Sequence, residues 1–396
     1  MPPRTVPASA LTRARPATKH RHMRAPPPHP YGWFAPLRAH EVRAGAPTSF
    51  EFMGRSLVAF RDRGGAVRVL DAACPHFGAH LGHGGEVRDG RIRCPYHKLD
   101  FDGEGRCVGA AAHYDPARVG HLRARTWASQ ERYGLVWVWH GRDPATPDRP
   151  VALDALDWDG WTDPITNDGL RVANLSPLWL AENIADLAHL RTVHCWDLDR
   201  VVAPPGADAD GTFRVAVDVR WRLGARSRDP RVQQLGRLVN SPFHLDVRAH
   251  DAGIVVAHAK LTEEQGSIAL RNVVLVCPLG DGSARLRVLV SVRRQWTGVA
   301  ARALRFVTGR GFEELLAPVF LAIGVSDFNS DARVWERRKH LDNPVPLQGE
   351  GAFLEFRRWS LRFWPDDHEP DAPEPDAREP DAPSTSDRGG LQSPTP

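Results

Sequence analysis

The sequence predicts an α+β protein, with a small all-β region first and then an antiparallel sheet combined with long helices. Three observations carry this. Short alternating apolar segments separated by turn residues run from Thr48 to Trp139. A second series of strand-like segments, from Phe213 to Val292, has no helix-length pattern between its members, which excludes a β-α-β rhythm. Helical patterns flank that series at residues 180–194 and 300–340.

Residues 1–30 carry Arg, Pro and Ala and no acidic residue. Pro2, Pro3, Pro7, Pro16 and Pro26 to Pro28 do not suit an amphipathic targeting helix, so a disordered extension is expected, with Met23 an alternative start to Met1. Order is expected from Tyr31-Gly32-Trp33-Phe34. Strands are expected at 49–52, 57–60 and 67–70, with Asp62 and Gly64-Gly65 forming a hairpin turn, and again at 92–94, 126–127 and 135–139. This first domain, 31–143, ends before the prolines at 144, 147 and 150. The second, 151–364, holds strand candidates at 213–221, 244–248, 253–259, 268–276 and 284–292, and its last helical pattern is interrupted near Gly309 and Gly311. Residues 365–396 repeat Glu-Pro-Asp-Ala from Glu369, Glu374 and Glu379 and have little to bury, so a disordered acidic tail is expected.

A chain of 396 residues is long enough for two cores. A formal net charge of +4 gives no case for nucleic-acid binding, and no apolar run approaches a membrane span. Cysteines stand at 74, 94, 107, 195 and 277. An odd count without a signal-like leader argues against a secreted disulfide framework, so a reducing cytoplasm is the expected setting.

Within the β region stands Cys74-Pro75-His76 and, after seventeen intervening residues, Cys94-Pro95-Tyr96-His97. Two mixed Cys/His pairs match the needs of a Rieske [2Fe–2S] cluster, in which one iron takes two thiolates and the other two imidazoles. The competing Cys₂His₂ zinc site usually groups its cysteines in one pair and its histidines in the other. Glycines between Phe77 and Gly85 would let backbone N–H groups approach the bridging sulfides. His80 and His83 are expected to have turn or solvent-facing roles, and Cys107, Cys195 and Cys277 to be small buried residues.

In the helical segment 180–194, Asp186 and His189 share a face. His194 lies about 140° further round an ideal helix, so it can join His189 at one metal only if the helix distorts or ends. Two histidines and a carboxylate form the facial triad of oxygen-activating Fe(II) sites. Acidic candidates for the third position are Asp327, Asp331 and Asp342.

The spacings Cys74-x-His76-x₁₇-Cys94-x₂-His97 and Asn183-x₂-Asp186-x₂-His189-x₄-His194 resemble the Rieske oxygenase α-subunit family over residues 31–364. Asp331-Ala332-Arg333-Val334-Trp335, Leu341-Asp342-Asn343-Pro344 and Phe356-Arg357-Arg358-Trp359 look like the corresponding stretch of 3-ketosteroid 9α-hydroxylase oxygenase components and Rieske sterol 7-desaturases. The resemblance implies a helix-grip catalytic domain, with an antiparallel sheet curling around a long C-terminal helix. It implies Asp331 as the third iron ligand and a homotrimer passing electrons from one subunit's cluster to its neighbour's iron, with Asp186 bridging and Asn183 in the same motif. One departure stands out: many members have Gly-Trp after the last cluster histidine, where this chain has Lys98-Leu99.

The expected function is an O₂-dependent monooxygenase that hydroxylates or desaturates a bulky apolar substrate, with a steroid or sterol first. Gly82-x-Gly84 does not open a helix and is no dinucleotide fingerprint, so a separate reductase or ferredoxin is expected. The rivals are a Rieske oxygenase of other specificity (aromatic ring hydroxylation, O-demethylation, tailoring of secondary metabolites) and an electron-transfer protein without a catalytic iron.

Overall fold

The computed structural model describes residues 29–364 apart from 112–113, 116–118, 222–241, 264–265, 296–305, 309–310, 342–343 and 348–349. The N-terminal extension up to residue 28, the alternative starts and the acidic tail lie outside the described residues.

Eleven short strands come first. They are β1 (Gly32–Arg38), β2 (Thr48–Phe52), β3 (Arg55–Arg61), β4 (Val67–Asp71), β5 (Glu86–Arg88), β6 (Arg91–Arg93), β7 (Asp100–Phe101), β8 (Cys107–Gly109), β9 (Thr126–Trp127), β10 (Ser129–Arg132) and β11 (Leu135–His140). They make three antiparallel sheets, ordered β1-β11-β10, β2-β3-β4-β9 and β5-β6-β7-β8. The β3–β4 hairpin turns as the sequence expects, with Asp62 Oδ1 accepting from the backbone N–H groups of Gly64 and Ala66. Leu70, Ile92, Leu99 and Phe101 pack around the buried Cys74 and Cys94, so a solid core supports the two loops that carry them.

The large antiparallel sheet follows. It uses β12 (Ile165–Thr166), β13 (Leu170–Val172), β14 (Trp196–Ala207), β15 (Phe213–Trp221), β16 (Pro242–Asp251), β17 (Ile254–Glu263), β18 (Gly266–Pro278) and β19 (Ala284–Val292). The order is β12-β19-β18-β17-β16-β15-β14, with β13 also on β19. Alternation assigns its faces. In β18, Leu270, Val274 and Val276 face one core, while Val273 and Leu275 pack with Trp33, Trp137 and Trp139 of the first sheet. Both faces are covered, which explains the unbroken apolar run from Val273 to Val276. Arg287, 1% exposed, seals the joint by donating to the carbonyls of Ala35 (2.6 Å) and Pro36 (3.2 Å).

Among the helices of the described chain are α1 (Pro177–Glu182), α2 (Ala188–Thr192), α3 (Phe312–Trp335) and α4 (Gly351–Ser360). Ala317, Phe320, Phe328, Ala332 and Trp335 of α3 pack on the inner face of the sheet at helical spacing. α4 lays Phe356 and Trp359 against Phe213, with ring centroids 5.1 and 5.9 Å away. The expected α+β class and helix-on-sheet arrangement are thus observed. Two expectations need correction. The single helix expected at 180–194 is two short helices separated by turns, and strand β14 lies where none was expected. β14 contains Pro204 and Pro205, which an edge strand tolerates because it pairs on one side only, and its register with β15 shifts around them.

Candidate metal centres

The two Cys/His loops are built alike. In the first, Cys74 N–H donates to the Ala79 carbonyl at 2.9 Å and Gly78 N–H to the Cys74 carbonyl at 2.8 Å. In the second, Cys94 N–H donates to Leu99 and Lys98 N–H to Cys94, at 2.8 and 3.2 Å. Each loop also aims two backbone N–H groups at its own sulfur, those of His76 and Phe77 at Cys74 and those of Tyr96 and His97 at Cys94. The thiols are hydrogen-bonded to each other, which pushes Cys94 down to about 5 and Cys74 up. Above them the His76 and His97 rings lie 4.7 Å apart, and His76 Nδ1 is buried without a hydrogen-bond partner among the described residues. Two thiols, two imidazoles and converging N–H groups suit a mixed-ligand [2Fe–2S] cluster.

His80 stands apart from this set. Its Nδ1 accepts from Gly82 N–H and its Nε2 bonds Ser56 Oγ, both at 3.1 Å, so it is the expected turn residue. A Cβ on Gly85 would lie 1.9 Å from the Leu81 carbonyl oxygen, so close backbone packing within the loop requires that glycine. Cys107 and Cys277 are buried as expected, whereas Cys195 is half-buried and has a φ of +59°.

The second centre starts from α1. Ser176 caps it by accepting from Leu178 N–H at 3.3 Å, and Pro177 occupies the first helical position. The helix stops at Glu182, and Asn183 follows as its C-cap. Asp186 Oδ1 then accepts from the N–H groups of Ala188 and His189, at 3.0 and 3.2 Å, which starts α2. The Asp186 backbone carbonyl accepts from His189 Nδ1–H, fixing the tautomer that leaves Nε2 as a lone-pair donor. α2 ends at Thr192, and both Val193 and His194 direct their N–H to the His189 carbonyl. That wide turn brings His194 round to His189, with ring centroids 5.2 Å apart. The break required by the spacing argument is therefore present.

Asp331, near the end of α3, meets them. One potential ligand atom from each of His189, His194 and Asp331 lies within 4.8 Å of the others. His194 Nε2 is 3.4 Å from Asp331 Oδ2, and the two side chains are 7% and 4% exposed. Asp331 Oδ2 has no hydrogen-bond partner among the described residues. A buried carboxylate in that state suits a cation. Burial lowers the His189 pKa, keeping the imidazole neutral as ligation requires. Of the other acidic candidates, Asp327 lies one turn earlier on α3, outside the triad, where burial pushes it up to about 6. Asp342 lies outside the described residues.

The triad opens onto a cavity of about 140 Å³ between the sheet and α3, which Asn183 also lines. Its other walls are mainly apolar, among them Leu180, Trp196, Val217 and Phe328. A wider recess of about 700 Å³, beside Trp127 and Arg149, touches none of the candidate ligands.

Residues 32–119 match the Rieske [2Fe-2S] domain family, and residues 138–364, more than half the chain, match the 3-ketosteroid 9alpha-hydroxylase C-terminal domain family. The chain belongs to the Rieske oxygenases. Its cofactors are a Rieske [2Fe–2S] cluster and a mononuclear iron, and the rival reading without a catalytic iron falls away. This oxygenase is 27% identical to the cholesterol 7-desaturase of Bombyx mori, over 90% of this chain and 74% of that protein. It is 26% identical to the 3-ketosteroid-9-alpha-monooxygenase oxygenase component of Mycobacterium tuberculosis (strain ATCC 25618 / H37Rv), over 85% and 82% of the two chains. Among solved structures, caffeine-bound NdmA of Pseudomonas putida CBB5 superimposes with a TM-score of 0.60 at 16% identity, over 83% of this chain and 89% of that one. Apo dicamba monooxygenase gives 0.55 at 20% identity, over 84% and 96%. These two likenesses concern the fold.

Sequence reasoning missed the residues that hold the oxygenase's second site in place. Glu182 is buried between Arg338 and Arg357, from a loop and a helix distant in the chain. A long-range ion pair leaves no local pattern. Asn272 was also missed, although its polar side chain between inward-facing Leu270 and Val274 is visible in the alternation.

Proposed function

We propose that this oxygenase hydroxylates or desaturates a bulky apolar substrate of the steroid or sterol class, using O₂ and electrons from a separate reductase or ferredoxin. The observation that carries the reading is the cavity. The triad of His189, His194 and Asp331 ends in a chamber walled by apolar side chains of β15 to β18 and α3. The names of the curated relatives, which act on cholesterol and 3-ketosteroids, support the same substrate class.

In this reading Cys74, His76, Cys94 and His97 hold the cluster, and His189, His194 and Asp331 hold the iron. The bound groups supply single-electron transfer and O₂ activation. The chain supplies the rest. The Asp186 carbonyl orients His189, the Asp186 carboxylate fixes the start of α2, and the apolar walls orient the substrate and exclude water. The first domain spans 31–143 and the second 151–364. A homotrimer in the cytoplasm fits the same reading, since Phe77 and Tyr96 beside the cluster histidines are 71% and 65% exposed and would be covered by a neighbouring subunit. Among the described residues no helix is long and apolar enough to cross a membrane.

Two measurements test this. Anaerobic iron and acid-labile sulfide analysis should give about three irons per two sulfides, falling to about two irons in His189→Ala. Incubation of a steroid and sterol panel with O₂ and a competent reductase should yield a hydroxylated or desaturated product. Two irons in both proteins would remove the ligand assignment. Absence of product from every steroid and sterol, with apolar amines or aryl ethers converted instead, would replace the substrate class.

A further inference from the structure

Among the described residues, the inner face of the large sheet is apolar along its centre, with one exception. Val215, Val217 and Val219 of β15, Leu245 and Val247 of β16, and Val288, Val290 and Val292 of β19 all pack into the same core. In the middle of this surface, on β18, stands Asn272, with Ala257 and Val290 as its cross-strand neighbours. Its Oδ1 is buried and has no hydrogen-bond partner among the described residues. A buried amide oxygen left without a donor is a standing cost to the fold, and an apolar residue there would avoid it.

A second polar group faces the same space from the helix. Asp327 lines the chamber beside the triad and also a further chamber of about 80 Å³ bounded by Phe243, Leu261, Phe320 and Ile323. Asn272 lines both chambers too. The two polar side chains therefore mark the junction between the chambers, with apolar walls on either side.

We infer that Asn272 and Asp327 form a polar anchor taking a hydroxyl group on the otherwise apolar substrate, at the junction of the two chambers. A hydroxyl is the group that fits, because its O–H can donate to Asn272 Oδ1 while its oxygen accepts from the O–H of a protonated Asp327 carboxyl. The inference rests on reading this cavity as the substrate chamber. It adds that the substrate is an alcohol held by its oxygen while its carbon skeleton extends toward the triad. Both residues are specificity-determining in this account. Neither is a ligand of the iron.

The test uses the iron-loaded holoenzyme and a matched bicyclic pair, trans-2-decalol and trans-decalin, small enough to be independent of the steroid assignment. Equilibrium dialysis gives the affinity ratio of alcohol to hydrocarbon. That ratio is expected to fall about tenfold in Asn272→Leu and again in Asp327→Leu, the size of one lost hydrogen bond. Decalin binding should persist in both variants, and the thermal midpoint of Asn272→Leu should hold or rise, as expected for a side chain kept for binding at the expense of stability. An unchanged ratio in both variants, or failure of the wild type to bind decalol, overturns the inference. So does a large drop in thermal midpoint for both, which would make the two side chains structural. A decalol preference lost on substitution, together with no turnover of any steroid, would overturn the steroid reading and leave the anchor standing.

Discussion

Glu182 Oε1 accepts a hydrogen bond from Arg357 Nε at 3.0 Å, between side chains that are 1% and 3% exposed. The pair joins the end of α1, just before the Asp186–His194 segment, to α4 near the end of the described chain. Arg338 bonds the other carboxylate oxygen, and Arg357 also donates to the Leu341 carbonyl at 2.5 Å. One buried carboxylate thus fastens the segment after α3 and helix α4 to the base of the candidate iron site.

Removing that carboxylate leaves Arg357 buried without its counter-charge. Glu182→Ala should destabilise the protein by about 3–5 kcal/mol in urea denaturation. It should also speed loss of the mononuclear iron to a chelator without changing the sulfide content. A loss below about 1 kcal/mol would show that the pair contributes little to holding the two regions together.

Two carboxylates one turn apart on α3 compete for the third metal position, and the geometry separates them. Asp331 lies within reach of both histidines, while Asp327 lines the cavity beyond. Asp331→Asn should therefore lower the total from about three irons to about two, while Asp327→Asn keeps about three. Iron analysis with both variants checks this, and the reverse pattern would reassign the ligand.

The parts of the fold legible in sequence were those written in local chemistry. The β3–β4 hairpin followed from Asp62 and Gly64-Gly65, and the β15 to β19 meander followed from strand-like segments with no helix-length pattern between them. The pairing of His189 with His194 was legible only conditionally, since their spacing demanded a helix break that no residue in the segment announces. That break comes where α2 ends at Thr192 and the N–H groups of Val193 and His194 both turn back to the His189 carbonyl. β14 was hidden because Pro204-Pro205 signals a break in any strand except one paired on a single side. The Glu182 and Asn272 roles depend on partners or cavities brought together by the fold.

The likeness of the two cluster loops makes Lys98 the counterpart of Gly78. Both close the same backbone turn and both have positive φ, +56° and +73°. A Cβ on Gly78 would meet nothing within 4 Å, so a substitution there strains the backbone alone. Gly78→Ala should cost about 1–2 kcal/mol, the left-handed penalty that Lys98 already bears. Lys98→Gly should be neutral or stabilising by up to about 1 kcal/mol with the cluster spectrum unchanged, because relief of that strain offsets the entropy of a freer unfolded chain. Loss of the cluster in Lys98→Gly would instead assign the lysine side chain a role in holding the loop.

His258 gives the fold an acid-sensitive point on the outer face of the sheet. Its Nε2 accepts from Arg271 Nε at 2.8 Å, while the Arg271 guanidinium lies 4.6 and 4.3 Å from the ring centroids of Trp158 and Trp161. Burial, and then the adjacent Arg271 charge, push His258 from its ordinary 6.5 down to about 4. The unfolded chain therefore takes up this proton first. The stability contributed by neutral His258 is complete above about pH 6.5 and is lost as pH falls toward 4. Allowing for its partial exposure, the loss is on the order of 2 kcal/mol. Urea denaturation of the wild type and of His258→Gln at pH 7.5 and 4.5 measures it. Glutamine keeps an acceptor for Arg271 but takes up no proton, so the variant should lose about 2 kcal/mol less between the two pH values. Equal losses in the two proteins would show that His258 takes up its proton in the folded state without cost, and that Arg271 is held by the tryptophans alone.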